Sequence, residues 1–210
     1  MEHMRELRKN NFCKIVTLLF VGFQVFLINA QEQSKSDFTI VGKNSKVSIL
    51  IDKKDATVVS IASNILATDI GKITGKIPVV SNSNKVSGNT IIAGTIGSNK
   101  WIDKMIANGK INVSEIEQGW EQYQLQKVED PVPGVEKALV IVGSDRRGTA
   151  YGILEISRKI GISPWEWWAD VTPTKKESLS ISIAKEVSKS PSVKYRGVFL
   201  NDEDWGLQRW

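Results

Sequence analysis

The chain has 210 residues with 28 Lys or Arg, 23 Asp or Glu, a net charge of +5, one His and one Cys. Both singletons, His3 and Cys13, lie in the first thirty residues, so residues 31–210 carry neither type. Within those residues this excludes a Ser-His-Asp or Cys-His nucleophile, a His- or Cys-ligated zinc site and a disulfide framework. Acid–base chemistry there falls to carboxylates, Lys or Tyr.

Residues 1–30 read as a signal peptide. A polar start carrying Arg5, Arg8, Lys9 and then Lys14 precedes an apolar run from Ile15 to Ile28. Ala30 offers a small residue before Gln31, and Cys13 precedes the apolar run, where no lipid anchor is attached. The run is short for a membrane span, which needs roughly 20 residues. Ile28 at the −3 position leaves an uncleaved anchor as the alternative. Removing four basic residues and two acidic ones, Glu2 and Glu6, lowers the net charge from +5 to +3 over 180 residues. That charge is too small and too dispersed to point to nucleic acid or an anionic membrane. The expected location is secreted or periplasmic, with no stable membrane insertion after cleavage.

Residues 31–36 read as a polar leader, and 37–188 can bury a sizeable core as one domain. Phe38–Val41 and Val47–Ile51 have strand character and are joined by a turn over Gly42–Ser45. Asp55 is placed to cap a helix with Val58, Ala62, Ile65, Asp69 and Ile73 on one face, ending near Gly75. A short strand over 77–80, a Ser/Asn/Gly loop over 81–89, a buried-type strand over 90–94 and a short helix over 99–107 follow. Residues 121–128 alternate as a strand, 129–134 read as a loop, and Ala138–Val142 is a fully apolar strand. A helix with Ala150, Ile153, Leu154, Ser157 and Ile160 on one face stops at Gly161. Leu179–Ile183 has period-two alternation. Strands and helices alternate, so the class is α/β with a mixed sheet.

Residues 189–210 differ. Ser190-Pro191 breaks the chain, and Val193–Leu200 reads as a strand whose apolar end expects burial on both faces. Asn201-Asp202-Glu203-Asp204-Trp205-Gly206 follows at its carboxyl end, where parallel sheets and β/α barrels place ligand-contacting groups. This is the pattern of the first strand of a second, truncated domain. Carboxylates can bind hydroxyls or act as acid or base, and Trp205 offers a flat apolar face. The plain alternative is a solvated acidic loop or a helix N-terminus.

Two further segments invite a functional reading. Ser163-Pro164-Trp165-Glu166-Trp167-Trp168-Ala169-Asp170 packs three of the seven Trp into four positions. They either wall a carbohydrate pocket, with Glu166 or Asp170 bonding hydroxyls, or glue the preceding helix to a neighbouring domain. Gly143-Ser144-Asp145-Arg146-Arg147-Gly148-Thr149 turns a strand into a helix, but its spacing is neither that of a dinucleotide fingerprint nor that of a phosphate loop. Glycines permitting a tight turn explain it, with Arg146 and Arg147 left to reach a carboxylate of a ligand or a neighbouring domain.

The run GSDRRGTAYGILEISRKIGISPWEWWADVTP, followed by KYRGVFLNDEDWGLQRW, resembles glycoside hydrolase family 115, secreted xylan α-1,2-glucuronidases. The resemblance implies an N-terminal α/β domain over 37–188 and the start of a catalytic β/α barrel over 189–210. It further implies release of glucuronic acid or its 4-O-methyl form from glucuronoxylan with inversion, and commonly a homodimer. Asn201 and Asp202 match the family motif at the barrel mouth, where they would contact the uronic acid. Asp202 is the catalytic candidate, and Asn201, Asp202, Glu203 and Trp205 are the substrate-binding candidates. The general acid is expected beyond Trp210. No metal and no organic cofactor is implied.

An inverting glycosidase needs two carboxyl groups roughly 6.5–9.5 Å apart on opposite sides of the bond. Asp202, Glu203 and Asp204 are consecutive and cannot easily supply both, so the fragment alone is expected to be inactive. The competing reading is a stand-alone carbohydrate-binding or adhesion module using the cluster from Trp165 to Trp168. A nucleotide-binding α/β protein is disfavoured by the glycine spacing and by the export signal.

Overall fold

Successive residues of the central strands point to opposite faces, and here both faces are apolar. Ile49, Ile91, Ala93, Leu139 and Ile141 join one core cluster, while Leu50, Ile92, Ala138, Val140 and Val142 join a second on the other side. A sheet with two apolar faces needs a layer on each, and the chain supplies them. The computed structural model describes residues 36–43, 47–83, 85, 86, 88–197 and 199.

The strands are β1 (Ser36–Val41), β2 (Val47–Leu50), β3 (Val79–Ser81), β4 (Asn89–Thr95), β5 (Tyr123–Val132), β6 (Val135–Gly143), β7 (Leu179–Ile183) and β8 (Glu186–Val187). The helices are α1 (Thr57–Thr74), α2 (Lys100–Ala107), α3 (Arg146–Ile160) and the short α4 (Glu166–Ala169). Six strands form one sheet in the order β3-β2-β4-β6-β5-β8. β3, β2, β4 and β6 are parallel, and β5 is antiparallel to both β6 and β8. Helices α1 and α3 cover one face through Leu66, Ile70, Ile153 and Ile156, and α2 covers the other through Ile102 and Met105. The mixed α/β class expected from the alternation is the one observed.

Several local expectations need correction. The strands on either side of the Gly42–Ser45 turn do not pair with each other, and β1 lies outside the main sheet. It pairs with β7 as a separate antiparallel ribbon, which adds Phe38, Ile40, Leu179, Ile181 and Ile183 to the α1/α3 core. The buried face of α1 is Val59, Ala62, Ser63, Leu66, Ala67, Asp69, Ile70 and Ile73, and Ile65 is exposed. This helix carries apolar residues on more than one stripe, and packing against α3 and the sheet selects among them. Its N-cap is Ala56 and has no side-chain cap bond. Asp55, one position too early, is engaged elsewhere. The expected loop over 129–134 is mostly strand. β5 continues through Pro131 to Val132, with a register shift after Glu129, and only Pro133-Gly134 turns. A proline is tolerated where such a bulge already interrupts the ladder.

The strand expected over Val193–Leu200 is not present at residues 193–197 or 199, the described part of that segment. Tyr195 is 87% and Phe199 91% exposed, so these side chains gain no burial there. A strand is held by backbone neighbours, and neither edge strand of the main sheet, β3 or β8, pairs with them.

Candidate functional site

In open α/β sheets ligands enter where the strand order reverses, outside the carboxyl ends of the strands. Here that point lies between β2 and β4, and two of the protein's own carboxylates stand there. Asp52, just past β2, accepts hydrogen bonds from the backbone N–H of Lys54 at 3.0 Å and of Lys100 at 3.1 Å. Burial pushes its carboxyl up, but these two N–H donors and the neighbouring lysine charges outweigh that and hold it below the usual range. Asp55 accepts from the N–H groups of Ala56 and Thr95, both at 2.8 Å, and from Asn99 Nδ2 at 3.3 Å. Asn99 in turn caps α2 by accepting from the N–H of Trp101 and Ile102, and it donates to the Ala93 carbonyl. At the start of α2 the N–H donors of Lys100, Trp101 and Ile102 are therefore already taken.

The β6–α3 turn is closed in the same way. Asp145 caps α3, accepting from the N–H of Arg147 and Gly148, each at 2.9 Å. A Cβ on Gly143 would stand 2.2 Å from the Thr149 nitrogen, and one on Gly148 would stand 2.2 Å from the Gln122 carbonyl oxygen. The glycines are there for close backbone approach, as the turn reading expected. Arg147 does find a carboxylate, but it is the chain's own Glu121, at 2.8 Å.

Glu121 organises a cluster that sequence reasoning missed. It sits just before β5 with φ 54, a left-handed conformation that costs a residue with a Cβ of order 1 kcal/mol or more. Its N–H donates to Asp145 Oδ2 at 2.6 Å, which holds that conformation. Its side chain is only 7% exposed and takes Arg147 on Oε1 and Arg196 on Oε2. Both guanidinium groups also donate to the Tyr151 hydroxyl, at 3.2 Å and 3.1 Å. The Arg196 guanidinium lies 5.8 Å from the centre of the Trp120 ring and 5.9 Å from that of Tyr151. Hydrogen bonding to Glu121, then to Tyr151, pushes Arg196 further above its ordinary range.

The same edge carries the segment after β8. The Ser188 N–H donates to the Tyr123 carbonyl at 2.9 Å, and the Tyr123 N–H donates back to Ser188 Oγ at 2.8 Å. Gln122 Nε2 donates to the Ser188 carbonyl at 2.7 Å, and the Trp120 N–H reaches Ser190 Oγ at 3.4 Å. Residues 186–196 are thus tied to 120–125 at several points. The partners in these four bonds lie 65 or more positions apart in the chain, which no local pattern reveals.

The site candidates expected from the sequence fall only partly among the described residues. Asn201, Asp202, Glu203 and Trp205 lie outside them. Of the Trp cluster, Trp165 is 61% exposed, and the side chains of Trp167 and Trp168 are likewise outside the description. Glu166 is engaged by Lys72 of α1 at 2.9 Å rather than turned to an open pocket. Burial raises the carboxyl of Asp69 nearby; Lys72 at 3.7 Å offsets part of this, and the charge of Glu166 adds to it. Among the described residues no group of three His, Cys, Asp or Glu is placed to hold a metal ion, and no helix is long and apolar enough to cross a membrane.

Strand order and helical layers define an α/β protein whose switch point carries two of its own hydrogen-bonded carboxylates, Asp52 and Asp55. Among solved structures it is similar to BtGH115A, described as a novel family GH115 4-O-methyl-alpha-glucuronidase with specificity for decorated arabinogalactans. That likeness has 40% sequence identity and a TM-score of 0.66, and covers 82% of this chain and 21% of BtGH115A. The chain belongs with glycoside hydrolase family 115 as a GH115-like segment, spanning about a fifth of that relative's length. A second structure, CpGH84D, matches at 12% identity over 72% of this chain and 22% of its own, and its TM-score of 0.42 carries no argument. No protein-family model matches the sequence, and no curated protein does.

Proposed function

We propose that the chain is the amino-terminal part of a secreted glycoside hydrolase that removes glucuronic acid, or its 4-O-methyl form, from a plant polysaccharide. The supporting observation is the 40% identity to BtGH115A across 82% of the chain. In this reading residues 37–188 are a scaffold domain and 189–210 lead into the catalytic region. Asn201 and Asp202 contact the uronic acid, with Glu203 and Trp205 beside them. Hydrolysis inverts the anomeric centre, so a second carboxyl must come from an element on the other side of the bond. Residues 31–210 by themselves do not turn over substrate, and the working enzyme is a homodimer.

The polymer follows from two considerations. The family resemblance of the motifs favours glucuronoxylan. The relative's own description favours arabinogalactan, which stands as the second reading. The test expresses the complete reading frame and assays both polymers for released uronic acid. Release from either supports a glucuronidase and selects the substrate; no release from both overturns it. N-terminal sequencing of the exported protein, expected to begin at Gln31, checks the signal.

A further inference from the structure

We propose that Glu121 is a positioning residue: through Arg196 it fixes the point at which the segment leading to Asn201 and Asp202 leaves the α/β domain. The inference rests on the functional reading of that segment given above. Arg196 is five residues before Asn201 and six before Asp202. Positioning errors of about 1 Å can cost on the order of a hundredfold in rate.

The geometry favours this role over simple surface pairing. An exposed ion pair contributes little, but Glu121 is 7% exposed and receives two arginines from different parts of the chain. Arg147 belongs to α3, so its bond braces Glu121 from within the domain. Arg196 belongs to the segment after β8, so its bond ties that segment to Glu121. The left-handed φ of 54 at Glu121 aims the carboxylate between them, and Asp145 holds that conformation through the Glu121 N–H. Tyr151 then receives both guanidinium groups, which fixes their orientation as well as their distance. A charged, hydrogen-bonded fork has directional specificity that a single lysine contact lacks.

The test uses the protein from the complete reading frame, with Glu121→Gln, Arg196→Gln, Arg147→Gln and the double variant Glu121→Gln/Arg196→Gln. Arg196→Gln leaves Glu121 paired with Arg147, so it keeps the buried carboxylate partnered and the fold intact. Glu121→Gln and Arg196→Gln are each expected to lower kcat about tenfold or more with KM within about twofold. The double variant is expected to be no worse than either, because residues acting through one contact are not additive. Arg147→Gln loosens the brace but leaves the Glu121–Arg196 pair in place, so it is expected to cost less kcat than either, about threefold. Amide hydrogen exchange across 186–197 is expected to quicken about tenfold in Glu121→Gln and Arg196→Gln, but not in Arg147→Gln. Unchanged exchange, additive losses, or an Arg147→Gln loss equal to that of Arg196→Gln would overturn the proposal. An unaltered parent that releases no uronic acid overturns the functional reading instead, and the exchange measurement then still decides whether Glu121 holds the segment.

Discussion

Asp52 and Asp55 at the carboxyl end of the sheet and Glu121 at the edge of β5 are carboxylates of one domain with different kinds of partner. The first two accept mainly backbone N–H groups from elements of the sheet's own crevice, at 2.8–3.1 Å. Their work ends inside the domain. Glu121 instead accepts guanidinium groups, one from α3 and one from a segment 75 residues further along the chain. Backbone donors are fixed by secondary structure, whereas an arginine carries its own piece of chain with it. In the crevice the carboxylates are bonded to the domain's own backbone, whereas at the edge of β5 one carboxylate joins two distant parts of the chain.

That contrast can be broken by separating rate from stability. The largest expected effect is in the outgoing segment. Asp202→Ala, in the protein from the complete reading frame, is expected to lower turnover about a hundredfold or more while the thermal midpoint stays unchanged. Steady-state kinetics beside a melting curve checks this, and near-normal turnover would shift the assignment to Glu203 or Asp204. The body should respond in the opposite sense. Gly148→Ala drives a Cβ to 2.2 Å from the Gln122 carbonyl oxygen, which is backbone and cannot swing away. A loss of about 1–3 kcal/mol is expected, read from the urea midpoint. Asn99→Ala removes the cap of α2 and the bridge to Asp55, and about 1–2 kcal/mol should go with it in the same measurement.

The smallest effects sharpen the comparison through pH. Asp52 has a lowered pKa, so its stabilisation is present above the unfolded-state value of about 3.9 and is lost as pH falls through the depressed folded value. Asp52→Asn is therefore expected to flatten the acid limb of a stability–pH curve. Asp69 has a raised pKa, chiefly from burial, so the fold is favoured at low pH and weakened as pH rises through the folded value. Asp69→Asn is expected to stabilise the protein at neutral pH, with the gain vanishing in acid. Urea midpoints between about pH 3 and pH 7 distinguish the two. A shift of the same sign for both would mean that burial, not N–H donation, governs Asp52.

Much of the body was legible because its signals are local. The alternation of Leu179–Ile183 gives a strand whose inward residues Leu179, Ile181 and Ile183 are buried, as observed. Gly75 and Gly161 end α1 and α3 with φ of 74 and 107, conformations that glycine takes without a Cβ penalty. Asn99 stands where the sequence starts its short helix. The edge of β5 was not legible. Pro131 argued for a loop, and only the bulge that accommodates it lets the strand continue. The two-residue β8 is too short to carry a pattern, and its place is set by pairing with Gln124 and Leu125. Glu121 looked like one more residue at the start of an alternating strand. Its left-handed turn, and its pairing with an arginine far along the chain, depend on packing that no spacing encodes.

The alternation of strands and helices, the apolar sheet interior and the helix stops are all written in the amino-acid order. They follow from nearest-neighbour sterics, periodic burial and residue identity, each of which is carried by a short stretch of chain. Folding in three dimensions was needed to pair β1 with β7, to choose the buried stripe of α1 and to bond Asp52 and Asp55 at the switch point. It was needed, too, to bring Arg147 and Arg196 together on Glu121. Those outcomes depend on which surfaces and charges meet after folding, where contacts between distant residues compete and the best-satisfied arrangement wins.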